Sequence, residues 1–235
     1  MSFETYIIWD QANWTRPQKR TASEIVTTSV ALARDGLDDM GMVSIVPYKT
    51  ARICQAVRNY DAGGEAESAV KFDVNFSVLD IRRNKMHRVA DRIPGIVFHE
   101  LVHCLRFEHF SQWALAEKAV TEGLAYVLGD RFEGQLLRPD EYIDLESMFE
   151  DTQASYSGAL RLAGLLHDSE AAYEDYDSLN LDFINAWDGV TDGYFSPLER
   201  IGITAVRINL SLGITPAELL IAEPAQILEV LDQVA

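Results

Sequence analysis

Apolar and polar residues alternate strictly in one stretch of the chain. From Val70 to Val78 every second residue is Val or Phe, and each residue between them is polar. This period of two predicts a long, half-buried strand over 70–78, and the basic run at 82–85 predicts a turn after it. A short β-rich run at 42–48, ended by proline, predicts a second strand.

Much of the remaining sequence carries helix-like patterns. Pro17 and the mixed run after it predict a helix over about 17–35, closed by Gly36. A nearly all-apolar run predicts a buried helix with Pro94 in its first turn. Another helix is expected over about 113–128, before a glycine. Helix-like spacing predicts further helices at 140–150, 153–167, 198–212 and 216–222, and turn signals predict a loop at 188–193.

These elements predict an α+β fold, with a small sheet in the first half of the chain and a mainly helical second half. A length of 235 residues suits one domain over 1–235, with an N-terminal lobe over about 1–110 and a C-terminal helical lobe over about 111–235. Since a chain this long buries a large core without staples, any metal it binds is expected to be functional rather than structural.

The buried helix contains a His-Glu-x-x-His motif. His99 and His103 are four residues apart, which places both imidazoles on one face of a helix about one turn apart. Two nitrogens in this position can bind one zinc ion. The carboxylate of Glu100 projects beside the metal, where it can take a proton from a zinc-activated water and later pass it to a leaving amine.

The motif alone is a weak signal, because it arises by chance in roughly one chain in a hundred of this composition. Its apolar surroundings strengthen it. Burying two histidines and a carboxylate together without a partner costs free energy, and a metal ion relieves that cost. The alternative is a solvated helix face with hydrogen-bonded histidines, which the apolar flanking residues disfavour.

A catalytic zinc needs a third protein ligand and one open position. Glu122 lies 19 positions after His103 in apolar surroundings, with enough chain between them for a turn and a return helix. His109 completes a metzincin-like spacing instead, but Arg106 stands where that pattern needs glycine to end the helix sharply. We therefore favour Glu122. The simpler interpretations are a salt bridge from Glu122 to Lys118, and a surface position for His109.

The motif from His99 to Arg106, followed by Thr-Glu-Gly-Leu-Ala at 121–125, resembles the DUF2268 family of predicted zinc-dependent proteases. Similar segments follow at 193–202 and 213–220, so the resemblance covers about residues 40–230. It implies a gluzincin-like site with His-Glu-x-x-His and a downstream Glu, and Arg106 fits its pattern. The chain departs from the family after Gly202, where Ile203 stands in place of an expected tyrosine.

The resemblance to gluzincins also implies a zincin-like fold, in which the small mixed sheet packs on the motif helix. It implies that the strand at 70–78 runs along the cleft and pairs with an extended substrate. An ordinary sheet strand is the equal alternative. The developing oxyanion needs a donor, and Tyr194 is favoured because it lies in a glycine-containing loop before a helix. The other candidates are His167, Tyr156 and Arg200.

Net charge limits the classes of possible partner, and cysteine content indicates the cellular compartment. The formal net charge of −17 predicts repulsion of nucleic acid and of anionic membrane, and it aids solubility. Two cysteines, Cys54 and Cys104, make no disulfide framework and fit a reducing cytoplasm. The N-terminal residues do not resemble a signal peptide, and no apolar stretch reaches membrane-spanning length.

The sequence therefore predicts a cytoplasmic zinc metallopeptidase that hydrolyses peptide bonds in a peptide or protein substrate. His99, His103 and Glu122 bind Zn²⁺, Glu100 is general base and then general acid, and Tyr194 is the candidate oxyanion donor. One alternative is a zinc-binding protein without turnover, whose closed site takes Cys104 or His109 as fourth ligand. Others are a metzincin-type site with His109 and a hydrolase of non-peptide amides. The number of subunits is open.

Overall fold

The computed structural model of the protein describes residues 3–56, 62–110, 115–136 and 197–233. The helices predicted at 140–150 and 153–167 and the loop predicted at 188–193 lie outside these ranges. The described residues form an α+β structure with a small four-stranded sheet. The coarse fold class predicted from the sequence is therefore confirmed.

The strands are β1 (Glu4–Trp9), β2 (Tyr48–Ala56), β3 (Ala62–Ser68) and β4 (Lys71–Ser77). Their order in the sheet is β1-β2-β4-β3, in which β1, β2 and β4 are parallel and β3 is antiparallel to β4. The mixed character of the sheet has a local cause. A crossover through a helix joins β1 to β2, whereas only two residues separate β3 from β4.

The helices are α1 (Arg16–Asp39), α2 (Val78–Arg82), α3 (Ile93–Phe107), α4 (Leu115–Leu136), α5 (Pro197–Ser211), α6 (Pro216–Ile221) and α7 (Pro224–Leu228). Short 3₁₀ helices cover Met86–Val89 and Glu229–Gln233. A capping box starts α1, where Thr15 and Gln18 satisfy each other's backbone N–H groups. No helix among the described residues has the length and apolar character needed to cross a membrane.

The chain divides into two compact units. The first comprises Met1–Glu108 and Arg131–Pro139, and the second comprises His109–Asp130 and Asp140–Ala235. Because the division falls inside α4, this one helix contributes residues to both units. The sheet, α1 and α3 belong to the first unit, and α5 to α7 belong to the second.

The motif helix α3 is the centre of the first unit. It packs against α1 and against strands β3 and β4. Twelve of its 15 residues are buried, as predicted for a helix that is apolar on nearly all sides. Phe98 stacks on Phe132 from the last part of α4, with ring centroids 4.4 Å apart.

Two predicted element boundaries are wrong. Gly36 does not close α1, which continues to Asp39 and ends before Gly41, whose φ is +72°. Gly36 is required for another reason, since a Cβ atom there would lie 2.5 Å from the ring of Phe132. The helix predicted to stop before Gly129 instead runs on to Leu136. In both cases packing on Phe132 outweighs the local tendency of glycine to end a helix.

The strand prediction succeeded once and failed once. The alternating run at 70–78 forms β4, which ends at Ser77. The run at 42–48 is irregular, and β2 begins at Tyr48, where that run ends. β4 also lies between β2 and β3, so its backbone is paired on both sides. The prediction that it pairs with an extended substrate is therefore wrong, because an added strand needs a sheet edge.

Helices α5 to α7 form part of the second unit. The buried Asn209 donates through its side-chain amide to the carbonyls of Ala205 and Ile227, each at 2.9 Å. This joins α5 to α7, and a second capping box at Thr215 and Glu218 starts α6. The two helices predicted at 198–212 and 216–222 are thus confirmed within one residue at each end.

Candidate metal centre

His99 and His103 lie on one face of α3. Their Nε2 atoms are 3.0 Å apart and their ring centroids are 4.8 Å apart. His103 is buried and His99 is half-buried. The helical spacing of four residues therefore directs both imidazoles toward the same point, as the sequence predicted.

Glu122 on α4 joins this pair. One ligand atom from each of His99, His103 and Glu122 lies within 4.8 Å of the others. Across the described ranges of the chain, this is the only group of three or more His, Cys, Asp or Glu side chains that could hold a metal ion. The structure thus brings together the three residues that the sequence suggested as ligands.

The donor atoms fit zinc. Two nitrogens that are each ~2.0–2.1 Å from a tetrahedral zinc lie roughly 3.3 Å apart. The distance between the Nε2 atoms is 3.0 Å, so a slight tilt of either ring satisfies this geometry. Rotation about the terminal torsions of Glu122, which are broad for a carboxylate, can bring its oxygen onto the same ion. Two imidazoles and a carboxylate are also a ligand set that zinc uses in catalytic sites.

Glu122 has a second neighbour on its own helix. The ammonium of Lys118 lies 3.9 Å from a carboxylate oxygen of Glu122, and both side chains are partly exposed. The salt bridge that the sequence offered as the simpler interpretation is therefore present as a long contact. An ion pair with this helical spacing is worth only about 0.3–0.5 kcal/mol. It is too weak to keep the carboxylate from a metal ion.

Glu100 is buried, with 7% of its surface exposed. Its side chain extends toward strand β3 and contacts the backbone of Gly64. A Cβ atom built on Gly64 would lie 2.5 Å from Cγ and 2.7 Å from Oε1 of Glu100. The carboxylate thus occupies the space that any side chain at position 64 would fill.

The end of α3 is fixed by a buried ion pair. Glu108, the residue that follows the helix, accepts hydrogen bonds from the Ser44 hydroxyl at 2.5 Å and the Ile45 backbone N–H at 2.6 Å. It also pairs with Lys49 of β2, and both side chains are fully buried. Lys49 donates in addition to the Ala69 carbonyl. These contacts secure the helix one turn beyond His103.

The helix that carries Glu122 is positioned by close backbone packing within the second unit. A Cβ atom on Gly123 would overlap the backbone of Gly202 in α5, and one on Gly202 would overlap the carbonyl of Ala119. Thr121 donates to the buried carboxylate of Glu117 at 2.9 Å. Ile203 is fully buried against Tyr126 and Val127. An apolar core position explains why isoleucine suits this site in place of tyrosine.

His109 is not a member of the metal-binding group. Arg106 remains inside α3, which continues to Phe107, and His109 follows as an exposed residue. A metzincin site needs the chain to leave the helix sharply at position 106, and here it does not. This geometry favours Glu122 over His109 as the third ligand, and the metzincin alternative stays a prediction. Cys104 is also outside the group, since its sulfur contacts the Lys71 carbonyl at 3.8 Å.

The candidates for an oxyanion donor fall mostly outside the described residues. Tyr194, His167 and Tyr156 all do so. Arg200 lies on α5. Tyr194 therefore stays a prediction.

Sequence reasoning missed three features of this site: the contact of Gly64 with Glu100, the Lys49–Glu108 pair, and the crossing of Gly123 with Gly202. Adjacent glycines at 63 and 64 are ordinarily a turn signal, and here they lie inside strand β3. A lysine in a strand and a glutamate after a helix carry no sign of their pairing. Each contact joins residues that are distant in the sequence.

Comparisons with models of protein families, with curated proteins and with solved structures give no match to this chain. The resemblance to the DUF2268 family consequently rests on the motifs alone.

Proposed function

We propose that this protein is a zinc-dependent peptidase. The observation that carries the proposal is the convergence of ligand atoms from His99, His103 and Glu122 within 4.8 Å. Three protein ligands leave a fourth tetrahedral position open for water or substrate, which is the arrangement of catalytic zinc sites. Structural zinc sites, by contrast, are closed by four protein ligands.

The surroundings of the site favour catalysis over a purely structural role. Among the described residues, the two candidates for a fourth ligand are directed elsewhere. Cys104 contacts a backbone carbonyl, and His109 is exposed beyond the helix. The first unit also has an extensive apolar core around α3, so it does not need a metal to fold.

Glu100 is the group that moves the proton. It follows His99 directly on α3, and its carboxylate is shielded from bulk solvent. In the proposed reaction it accepts a proton from the attacking water and then donates that proton to the leaving amine of the cleaved peptide. Zn²⁺, when bound, supplies the Lewis acid that makes the water acidic and polarises the scissile carbonyl.

The fold, family, substrate and compartment are further parts of the proposal. We propose a zincin-like fold and membership of the DUF2268 family, supported by the packing of the motif helix on a small mixed sheet. The substrate is a peptide or protein. The net charge of −17 argues against nucleic acid or anionic membrane as partner. Two free, buried cysteines support a reducing compartment such as the cytoplasm.

The metal is tested first. The full chain is purified without added metal, and its zinc content is measured by mass spectrometry before and after soaking in zinc. We expect about one zinc per chain. A content near zero after soaking would remove the basis of the proposal.

Catalysis is tested with Glu100→Gln, which keeps the shape of the side chain and removes its basicity. We expect zinc to stay bound and hydrolysis of a fluorescently labelled unfolded casein to fall by about 10²–10⁴-fold. Glu65→Gln is the matched control, because Glu65 is an exposed carboxylate on β3. Retained activity in Glu100→Gln contradicts the general-base role. Zinc binding without any hydrolysis by the unaltered chain favours a binding protein without turnover.

A further inference from the structure

The two adjacent glycines of β3 have opposite surroundings. Gly64 is opposite Val74 of β4, and Gly63 is opposite Asn75. Since successive residues of a strand point to opposite faces, position 64 faces the same side as the buried Val74. That is the side from which Glu100 of α3 approaches. Among the described residues, no atom would lie within 4 Å of a Cβ atom on Gly63, whereas a Cβ atom on Gly64 would meet the Glu100 side chain at 2.5 Å.

The clash at Gly64 falls on a side chain and not on the backbone. The three atoms that a Cβ on Gly64 would meet are Cγ, Oε1 and Cδ of Glu100. Neither Gly63 nor Gly64 has a positive φ, so an alanine at either position is free of backbone strain. An alanine at position 64 therefore requires the Glu100 side chain to move from Cγ outward. The residue that moves is the one on which the proposed proton transfer depends.

We propose that Gly64 is a positioning residue for Glu100: the absence of its side chain creates the space that holds the carboxylate beside the metal centre. The catalytic consequence of this inference rests on the proposed function. The contact itself is independent of that function. A general base acts only within about 3 Å of the proton it takes, so displacement by a methyl group removes it from reach.

The catalytic test uses Gly64→Ala with Gly63→Ala as the matched control. Both variants add the same methyl group to the same strand, on opposite faces. For Gly64→Ala we expect unchanged zinc content, an unchanged KM and a kcat for casein hydrolysis that falls by about 10²-fold. For Gly63→Ala we expect all three to stay as in the unaltered chain. Full activity in Gly64→Ala overturns the proposal, as does an equal loss in both variants.

A second test needs neither metal nor activity. Thermal unfolding of the zinc-free chain is measured for Gly64→Ala, Glu100→Ala and the double variant, and the same cycle is repeated with Gly63→Ala. Glu100→Ala removes the atoms that clash, so the effect of Gly64→Ala on Tm should disappear in its presence. The cycle with Gly63 should be additive. Additivity in both cycles overturns the proposal even if the chain is a peptidase.

The activity test and the unfolding cycle separate the proposed peptidase function from the contact between Gly64 and Glu100. If the unaltered chain binds zinc and hydrolyses nothing, the proposed function fails, and the unfolding cycle still decides whether Gly64 and Glu100 are coupled. If Gly64→Ala does not fold, the double variant with Glu100→Ala replaces it. Recovery of folding in the double variant supports the contact, and failure to recover contradicts it.

Discussion

Lys49 and Glu108 form an ion pair whose side chains are both fully buried, joining the start of β2 to the residue that directly follows the motif helix. Glu108 accepts two further hydrogen bonds, from Ser44 and from the backbone of Ile45. Lys49 also donates to the carbonyl of Ala69. A charged pair removed from water is stabilising only with such additional partners, because each ion loses its hydration.

Removal of one partner should therefore be costly. For Lys49→Met we expect a loss of about 3–5 kcal/mol in the free energy of unfolding, since the carboxylate of Glu108 is left buried without its cation. Chemical denaturation of the zinc-free chain measures this. The double variant with Glu108→Gln should regain much of the loss, because the amide oxygen can still accept from the Ile45 N–H while its NH2 group donates to the Ser44 hydroxyl, which itself donates to the Val46 carbonyl. Equal stability of the single and double variants would contradict the pairing.

Zinc affinity should depend on Glu122 and not on His109. Glu122→Ala should weaken binding by about 10-fold or more, because an open-site zinc then keeps only two protein ligands. His109→Ala should leave the affinity unchanged, since His109 is exposed and outside the group. Competition with a chromogenic chelator gives both values. A loss confined to His109→Ala would exclude Glu122 as the third ligand.

Replacing Lys118 should change zinc affinity in the opposite direction from replacing Glu122. Its ammonium lies 3.9 Å from the carboxylate of Glu122 and competes with a metal for it. Lys118→Met should therefore raise zinc affinity by about twofold, the factor that corresponds to an exposed helical ion pair of about 0.3–0.5 kcal/mol. The gain should vanish at high salt, which screens the pair. Weaker zinc binding in this variant would contradict competition between the two cations.

Alanine substitutions at Gly202 and at Gly129 should have opposite effects on the stability of the chain. At Gly202 the new methyl group would overlap the Ala119 carbonyl, so Gly202→Ala should destabilise the chain by about 1–3 kcal/mol. At Gly129 the methyl group meets no atom of the described residues within 4 Å, so Gly129→Ala in α4 should stabilise the chain by up to about 1 kcal/mol. Thermal unfolding distinguishes the two. Equal effects would argue against the close crossing at Gly202.

Cys54 should react slowly in the folded chain. Burial, and then the carboxylate of Asp73, raise the pKa of its thiol from 9.0 to about 11. The folded state thus keeps a proton that the unfolded state loses as pH rises through this window, so this group lowers stability in alkali. In a Cys104→Ala background at pH 8, alkylation by iodoacetamide should be about 100-fold slower in the folded than in the denatured protein. Equal rates would exclude the raised pKa.

Local patterns in the sequence were sufficient for several elements. The alternation at 70–78 determined β4, because a period of two admits one buried face only in a strand. The apolar run around His99 determined a buried helix, and the spacing of four residues placed two imidazoles on one side of it. These features depend on neighbours within a few positions, which is the range over which periodicity and capping act.

Contacts between distant segments could be decided only by the tertiary structure. The sequence left both Glu122 and His109 as candidates for the third ligand, and the structure groups Glu122 with the two histidines. The edge position of β3, the space at Gly64 and the pairing of Lys49 with Glu108 are equally non-local. Each depends on which surfaces pack together, and the periodicity of a single segment contains no information about its partner.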